Sequence, residues 1–363
     1  MSMNTTDQIH MARAVQLARC GRYTTSPNPR VGCVIERDGV VIGEGWHQWA
    51  GEGHAEVNAL AAAGDASGAT VYVTLEPCSH QGLTGPCAEA LVNANVAKVI
   101  YGMEDPNPKV AGRGLQFLRD AGIAVEGPLL EAQCQQLNPG FCKRMTSDLP
   151  RVAVKLAMSI DGRTAMASGE SQWITGPAAR ADVQKLRASS CAIVTGIGTV
   201  LQDDPAMTVR DNDLGALRAG QQHIRQPLKV VVDSAGKLPV DATIRNQPGE
   251  LLVVTAGASV SDAESIALPA DSGQVDLLAL LQELARRQCN EVLVEAGAEL
   301  AGAFVEAGLV DQLVIYQAPT LLGSSALPLL NLPFEKMAEQ LQLTITDTRT
   351  VGDDIRITAV PKM

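Results

Sequence analysis

Aromatic side chains are scarce: 3 Trp, 4 Tyr and 4 Phe in 363 residues, too few for the stacking platform that single-stranded nucleic acid requires. Positive charge is in deficit. Lys plus Arg number 29 against 40 Asp plus Glu, a net charge of −11. The deficit is shared, with 11 basic and 15 acidic residues over 1–150 and 18 and 25 over the remainder. Neither half reads as a polyanion-binding domain, although a local pocket for one phosphate stays open. Met1–Cys20 lacks a basic stretch followed by an apolar run, so no secretory leader is expected. The longest uncharged stretch, Gln312–Phe334, is interrupted by Gln317, Pro319, Pro328 and Pro333 and does not read as a membrane span. The eight cysteines are therefore expected to be reduced thiols or metal ligands in a cytoplasmic protein, not a disulfide framework. Internal repeats and low-complexity tracts are lacking, and so is a Gly-x-Gly-x-x-Gly fingerprint: Gly196-Ile197-Gly198 runs on into Thr199, Val200 and Leu201 without a third small residue.

What is present is ordinary globular composition, 46% hydrophobic and 19% charged, at a length expected to hold about two domains. The chain reads as two alternating α/β units. In the first, helical spacing over Thr6–Arg19 precedes Val31–Arg37 and Val40–Gly45, which flank the hairpin signal Asp38-Gly39. Short helices are expected at His54–Ala63, from Cys87, and at Gly114–Ala121, with strands at Thr70–Leu75, Lys98–Gly102 and Ile123–Glu126. One helix is expected over Glu131–Arg144, running into a linker at Thr146–Pro150. The domains are accordingly set at 1–147 and 148–363. The second unit shows strands at Val152–Ala157, Ala192–Thr195, Lys229–Asp233, Leu251–Thr255, Glu291–Val294 and Leu313–Gln317, with helices at Pro177–Ala188, Asp276–Arg287 and Glu299–Ala307 and a loop over Asp211–Gln226.

The first chemical constellation is His54-Ala55-Glu56, then Pro77-Cys78, then Pro86-Cys87. One His and two Cys suit Zn²⁺ and leave its fourth position open to water, which the metal acidifies. Glu56 is close enough in sequence to carry a proton to a leaving amine without itself binding metal. This is the logic of zinc nucleobase deaminases. His54 and Cys87 both fall where a helix begins, where the positive end of the dipole favours anions. Read singly, Cys78 and Cys87 are small core residues and His54 a surface cap; the joint pattern, with a proline before each Cys, outweighs that reading. The cysteines stand nine residues apart, so Ser79–Pro86 must loop out beside the ligands. The alternatives from a different class are a deaminase of a tRNA base with an RNA-binding second half, which the acidic balance opposes, and a non-catalytic regulator with a structural metal.

The stretch Thr74-Leu75-Glu76-Pro77-Cys78-Ser79-His80 through Gly85-Pro86-Cys87 resembles the signature of riboflavin-pathway pyrimidine deaminases. Pro27-Asn28-Pro29-Arg30, Asp105-Pro106-Asn107-Pro108, Lys155-Leu156-Ala157, Ser171-Gln172-Trp173, Asp203-Asp204-Pro205 and Val294-Glu295-Ala296-Gly297 look like the same family, the bifunctional riboflavin biosynthesis deaminase–reductases of the RibD type. The resemblance covers nearly the whole chain. It implies a cytidine-deaminase-like α/β/α domain followed by a dihydrofolate-reductase-like α/β domain. The first would hydrolytically deaminate 2,5-diamino-6-(5-phosphoribosylamino)pyrimidin-4(3H)-one; the second would reduce the product's ribosyl group to ribityl with NADPH. An inactive or differently specific second domain is the alternative. His54, Cys78 and Cys87 would hold zinc, Glu56 would shuttle protons, and Asn28, His47 and His80 would line the pocket. Self-association through the reductase domain is also implied. Where the family often carries a cation for the substrate phosphate, this chain has Leu83; Arg30 and Arg22 are the candidates to replace it.

In the second half, strand Glu291–Val294 leads through Glu295-Ala296-Gly297 into a helix, and the amides at such a start can hold a diphosphate, Gly297 permitting close approach. The plain alternative is an ordinary strand-to-helix turn. Arg187 and Arg210 are candidate phosphate clamps; otherwise they are solvated surface charges. By resemblance, Ala157, Trp173, Thr199, Asp203, Ser234 and the run Gly297, Ala298, Glu299, Leu300, Ala301, Gly302 and Ala303 would contact the nucleotide. Ser171, Arg187, Met207, Arg210 and Glu295 would contact substrate, with Lys155 and Glu295 nearest the hydride transfer. Trp173 could instead anchor a core, and Asp203-Asp204-Pro205 could be a simple turn.

Overall fold

Asp38 and Gly39 both take left-handed backbone, φ 56° and 80°, as a two-residue hairpin turn demands and Asp-Gly supplies with little strain. They join β1 (Gly32–Arg37) to β2 (Val40–Trp46). The computed structural model to which they belong describes residues 5–79, 85–108, 110–210, 214 and 224–362, and divides into two units, Met1–Asp148 and Leu149–Met363. The expected loop over 211–226 lies largely outside the described residues. Among those residues, no helix is long and apolar enough to cross a membrane.

The first unit continues with α1 (Thr5–Cys20), α2 (Ala55–Ala63), β3 (Thr70–Val73), α3 (Cys87–Asn93), β4 (Lys98–Tyr101), α4 (Arg113–Asp120), β5 (Ala124–Glu126), α5 (Glu131–Gln135) and α6 (Pro139–Ser147). The strands form one sheet in the order β2-β1-β3-β4-β5, the last three parallel. Strand side chains alternate between faces, and both faces are covered. Cys33, Ile35, Val71, Val73, Val99 and Tyr101 pack with residues of α2, α3 and α4. Val34, Tyr72 and Ile100 point the other way, against α1 and Cys134 of α5. The single helix expected over Glu131–Arg144 is two. Pro139 has no N–H to continue α5 and so opens α6 instead. Between them Asn138 accepts the Arg30 N–H at 2.7 Å and donates to the Arg30 carbonyl at 2.8 Å. The expected linker is partly helical, since α6 runs to Ser147 before Asp148 turns left-handed at φ 55°.

The second unit holds β6 (Arg151–Ser159), β7 (Arg163–Ala165), α7 (Pro177–Ser189), β8 (Ala192–Gly196), α8 (Ile197–Asp203), β9 (Leu228–Val232), β10 (Leu251–Thr255), β11 (Glu264–Ala267), α9 (Leu277–Arg286), β12 (Glu291–Val294), α10 (Ala298–Glu306), β13 (Gln312–Ala318), β14 (Leu327–Pro328), β15 (Leu343–Val351) and β16 (Asp354–Pro361). Nine strands form one sheet, ordered β11-β10-β9-β8-β12-β6-β13-β16-β15. It is parallel from β11 to β13, and the β15–β16 hairpin adds an antiparallel edge. One face buries Val154, Val194, Val230 and Val294 beneath α9 and α10. Ile193, Val231 and Val253 point to the other face, with Val200 of α8. The chain passes from β8 through α8 to β9 on one side, and from β12 through α10 to β13 on the other. Connections that diverge from neighbouring parallel strands open a crevice beyond their carboxyl ends, where ligands bind in such sheets.

Candidate active sites

His54 is the N-cap of α2 and Cys87 the first residue of α3, while Cys78 lies in the loop after β3. The fold thus brings three residues separated by 24 and 33 positions to one point. His54 Nδ1 is 3.2 Å from Cys87 Sγ and 3.6 Å from Cys78 Sγ, and the three ligand atoms lie within 4.8 Å of one another. Tetrahedral zinc with ordinary Zn–N and Zn–S bonds places N and S about 3.5 Å apart, so the donor set fits that ion in both chemistry and spacing. The Cys87 hydrogen bond pulls the Cys78 thiol down to about 4, against burial and with help from His54. The same bond and burial hold Cys87 up. A dication held there would remove this division, because coordinating thiols ionise outright.

Glu56, in the first turn of α2, is 3% exposed. Burial above all, then the nearby Cys78 charge, raises its pKa to about 7, with His54 opposing. That suits a group that takes and returns a proton near neutrality. His47 is buried, and its Nδ1 meets the Gly53 carbonyl at 3.1 Å. Its other nitrogen therefore accepts from the Asn28 amide at 3.2 Å. Burial lowers the His47 pKa, keeping the ring neutral, and it stands edge-on to His54 with centroids 5.3 Å apart. Asn28 and His47 are thus linked directly beside the candidate ligand His54. His80 and Leu83 lie outside the described residues. Arg30 donates its guanidinium to the Leu137 carbonyl at 2.6 Å, which ties it to the α5–α6 corner. Arg22 is exposed, over the Tyr23 ring.

Three supports were not foreseen. Asn58 donates to the carbonyls of Trp46 and Gly53, bracing the loop that carries His47 and His54. Asn138 clasps Arg30. Glu76 accepts backbone N–H groups from a segment beginning 29 residues on. The sequence carried no signal for these, because each partner is remote or is backbone.

In the second unit, Lys155 of β6 and Glu295, the residue just past the end of β12, fall side by side, since Val154 pairs with Val294. Arg187 reaches them from α7. Its Nε and Nη2 meet the Glu295 oxygens at 2.6 and 3.0 Å, and Nη1 meets the Thr208 carbonyl at 3.0 Å. Lys155 Nζ stands 4.0 Å from Glu295. Burial would raise the Glu295 carboxyl, but Arg187 and Lys155 hold it below its ordinary range. Burial lowers Lys155. Arg187 is therefore no solvated surface charge, and its fork faces a carboxylate. The buried Met207 sulfur also meets it, at 3.7 Å. Arg210 is exposed and its N–H bonds Gln184.

Gly297 caps α10, and its N–H donates to Thr199 Oγ1 of α8 at 3.3 Å. The two helix starts thus meet at the diverging point of β8 and β12. Ala298–Ala303 form the first six positions of α10, and Ala157 lies in β6. Ser171 donates to Asp203 at 3.1 Å. Ser234 bonds Gln274. Trp173 is 69% exposed under the Arg180 guanidinium, so it anchors no core. Asp204 turns left-handed at the end of α8, where its carboxylate accepts from Thr243.

A model of the cytidine and deoxycytidylate deaminase zinc-binding region matches residues 4–103, and one of the RibD C-terminal domain matches residues 150–357. The chain is 51% identical to riboflavin biosynthesis protein RibD of Escherichia coli, covering 96% of this chain and 98% of that one. It is 46% identical to RibD of Haemophilus influenzae, covering 100% and 99%. Among solved structures, Acinetobacter baumannii RibD is similar with a TM-score of 0.91 at 45% identity, covering 98% and 99%. A Thermotoga maritima diaminohydroxyphosphoribosylaminopyrimidine deaminase/5-amino-6-(5-phosphoribosylamino)uracil reductase is similar with a TM-score of 0.87 at 30% identity, covering 98% and 99%. An RNA-binding second half is thereby overturned.

Proposed function

The chain belongs to the RibD family of riboflavin biosynthesis, and from that premise we propose how its residues divide the family's two reactions. It is a bifunctional enzyme, a zinc-dependent deaminase and an NADPH-dependent reductase. The deaminase reading takes 2,5-diamino-6-(5-phosphoribosylamino)pyrimidin-4(3H)-one as substrate and residues 1–147 as the domain. The reductase reading takes the deaminated product and residues 148–363.

The convergence of His54, Cys78 and Cys87 beside the buried Glu56 carries the proposal. His54, Cys78 and Cys87 would hold zinc, which would supply a water acidic enough to ionise near neutral pH. Glu56 accepts the proton from the attacking water and delivers it to the leaving amine. Asn28 and His47 orient the pyrimidine, the neutral ring of His47 holding one Asn28 N–H so that the amide keeps one orientation.

In the reductase, NADPH supplies the hydride. The residues where Gly297 meets Thr199 would hold the nucleotide, with the amides that open α10 available to its diphosphate. Ala157, Trp173, Asp203 and Ser234 complete that contact. Glu295, fixed by Arg187, orients the substrate hydroxyls, and Lys155 steadies charge at the sugar oxygen. Ser171, Met207 and Arg210 contact the substrate. We further propose a homo-oligomer joined through the reductase unit. Edge strand β15 has Ile345 at 62% exposed, and a long open edge is a template for pairing; light scattering at a monomer mass would refute this. Eight cysteines outside any disulfide suit a cytoplasmic enzyme, which cell fractionation tests.

The deciding experiment supplies the diaminopyrimidine ribosyl phosphate with and without NADPH. Ammonia release without NADPH, followed by NADPH oxidation on its addition, is the expected result. Ammonia alone would refute the reductase assignments; neither signal from folded, zinc-loaded protein would refute both.

A further inference from the structure

We infer that Glu76 is a positioning residue for the deaminase centre, holding the segment that carries Cys78 through backbone amides far along the chain. The inference rests on the reading of Cys78 as a zinc ligand. Regular pairing of β3 ends at Val73, so Cys78 stands five residues beyond the sheet's last paired strand position and needs another anchor. Glu76 is 3% exposed. Its Oε2 accepts from the N–H groups of Asp105 at 3.1 Å and Gly112 at 2.9 Å, and its Oε1 from Gly114 at 2.8 Å and Leu115 at 3.4 Å. Its own N–H donates to the Met103 carbonyl at 2.9 Å. Helix α4 lacks a side-chain cap at Gly112 and an acidic residue in its first turn; Glu76 fills both roles from the segment after β3.

The next residue is held as tightly. A Cβ on Gly114 would collide with the Pro77 carbonyl oxygen, so the first turn of α4 lies directly against the peptide that leads into Cys78. Beyond it, the Cys78 carbonyl accepts from Ala88 at 3.1 Å and its sulfur from the Cys87 N–H at 3.4 Å. The carboxylate, the glycine and the start of α3 thus fix the ligand from both sides. Glu76 touches no ligand atom and acts only through the backbone it holds.

The test uses the full-length zinc enzyme and Glu76→Gln, which keeps the shape but turns an NH₂ toward crowded donors. Zinc affinity is measured by chelator competition, ligand geometry by the absorption bands of the cobalt-substituted protein, and deamination as kcat and KM separately. Reduction of the deaminated product serves as the control within the same chain. The expected result is an affinity loss of about 10-fold or more, the range for residues that orient metal ligands. Shifted cobalt–thiolate bands and a lowered kcat at nearly constant KM should accompany it, with reduction unchanged. Parent affinity, parent bands and parent kcat would overturn the inference even if the melting temperature fell, leaving Glu76 a cap for α4 alone. If Glu76→Gln does not fold, Gly114→Ala, which pushes Pro77 from the other side, is measured against the same two outcomes. A parent enzyme that binds no zinc would refute the ligand reading instead.

Discussion

Glu56 and Glu295 are both buried carboxylates, and their surroundings give them opposite characters. Glu56 has burial and a neighbouring thiolate against it, and its pKa rises to about 7. Glu295 has Arg187 and Lys155 beside it, and its pKa falls despite burial. Glu56→Gln should lower deaminase kcat by about 10²–10⁴, the usual contribution of a positioned proton carrier, and leave reduction of the deaminated product unchanged; parallel ammonia and NADPH assays check this. Arg187→Met leaves Glu295 with only Lys155 at 4.0 Å. It should destabilise the second unit by roughly 3 kcal/mol, as breaking a buried pair does, read from urea unfolding. The pH sign follows from the depressed carboxyl. Glu295 contributes stability that is complete above its unfolded value, about 4.3, and is lost as the pH falls through its lower folded value. In Arg187→Met the folded value rises, so that acid-dependent stabilisation should shrink, which urea midpoints between pH 3 and 6, a span of about 3 units around the unfolded value, would reveal. Glu56 was legible as a candidate because it sits two residues from the candidate ligand His54. The pairing of Glu295 with Arg187 was not, because their spacing of 108 positions carries no pattern.

At the scale of elements, local signals read well where local chemistry decides. Asp276 caps α9, its side chain accepting from Ala279 at 3.0 Å; Asp276→Ala should cost about 1 kcal/mol of stability, seen as a lowered denaturant midpoint. The hairpin at Asp38-Gly39 and the strands of buried Val and Ile read equally well, through turn chemistry and apolar runs. Pro139 should have divided the helix expected over 131–144, since a proline cannot continue one. Strand β15 went unread because six of its nine positions are exposed, three are half-exposed and none is buried, so the apolar alternation of a buried strand is absent. Placement of α10 depends on Gly302, where a Cβ would collide with the Asn331 carbonyl. Gly302→Ala should destabilise by about 1–3 kcal/mol, as overpacking does, and raise KM for NADPH with deamination unchanged. Steady-state kinetics of both reactions check it.

At the scale of the molecule, each chemistry stands on its own sheet. The candidate metal ligands His54, Cys78 and Cys87 belong wholly to Met1–Asp148 and the Lys155–Glu295–Arg187 cluster to Leu149–Met363. A strong chelator should therefore abolish ammonia release, restored by zinc, and leave NADPH oxidation with the deaminated product intact. Loss of both would show that the second unit depends on the metal.

The sequence by itself determined the two α/β units and pointed to the candidate ligands and the candidate proton carrier, because apolar periodicity, turn residues and a His-x-Glu beside paired Pro-Cys steps are local patterns. Only the tertiary structure decided which buried carboxylate is raised and which lowered, that Arg187 faces Glu295, that Trp173 is exposed, and that Glu76 gathers amides from a distant loop. These depend on burial and on partners brought together across the sheet, and neither is written in the spacing of residues along the chain.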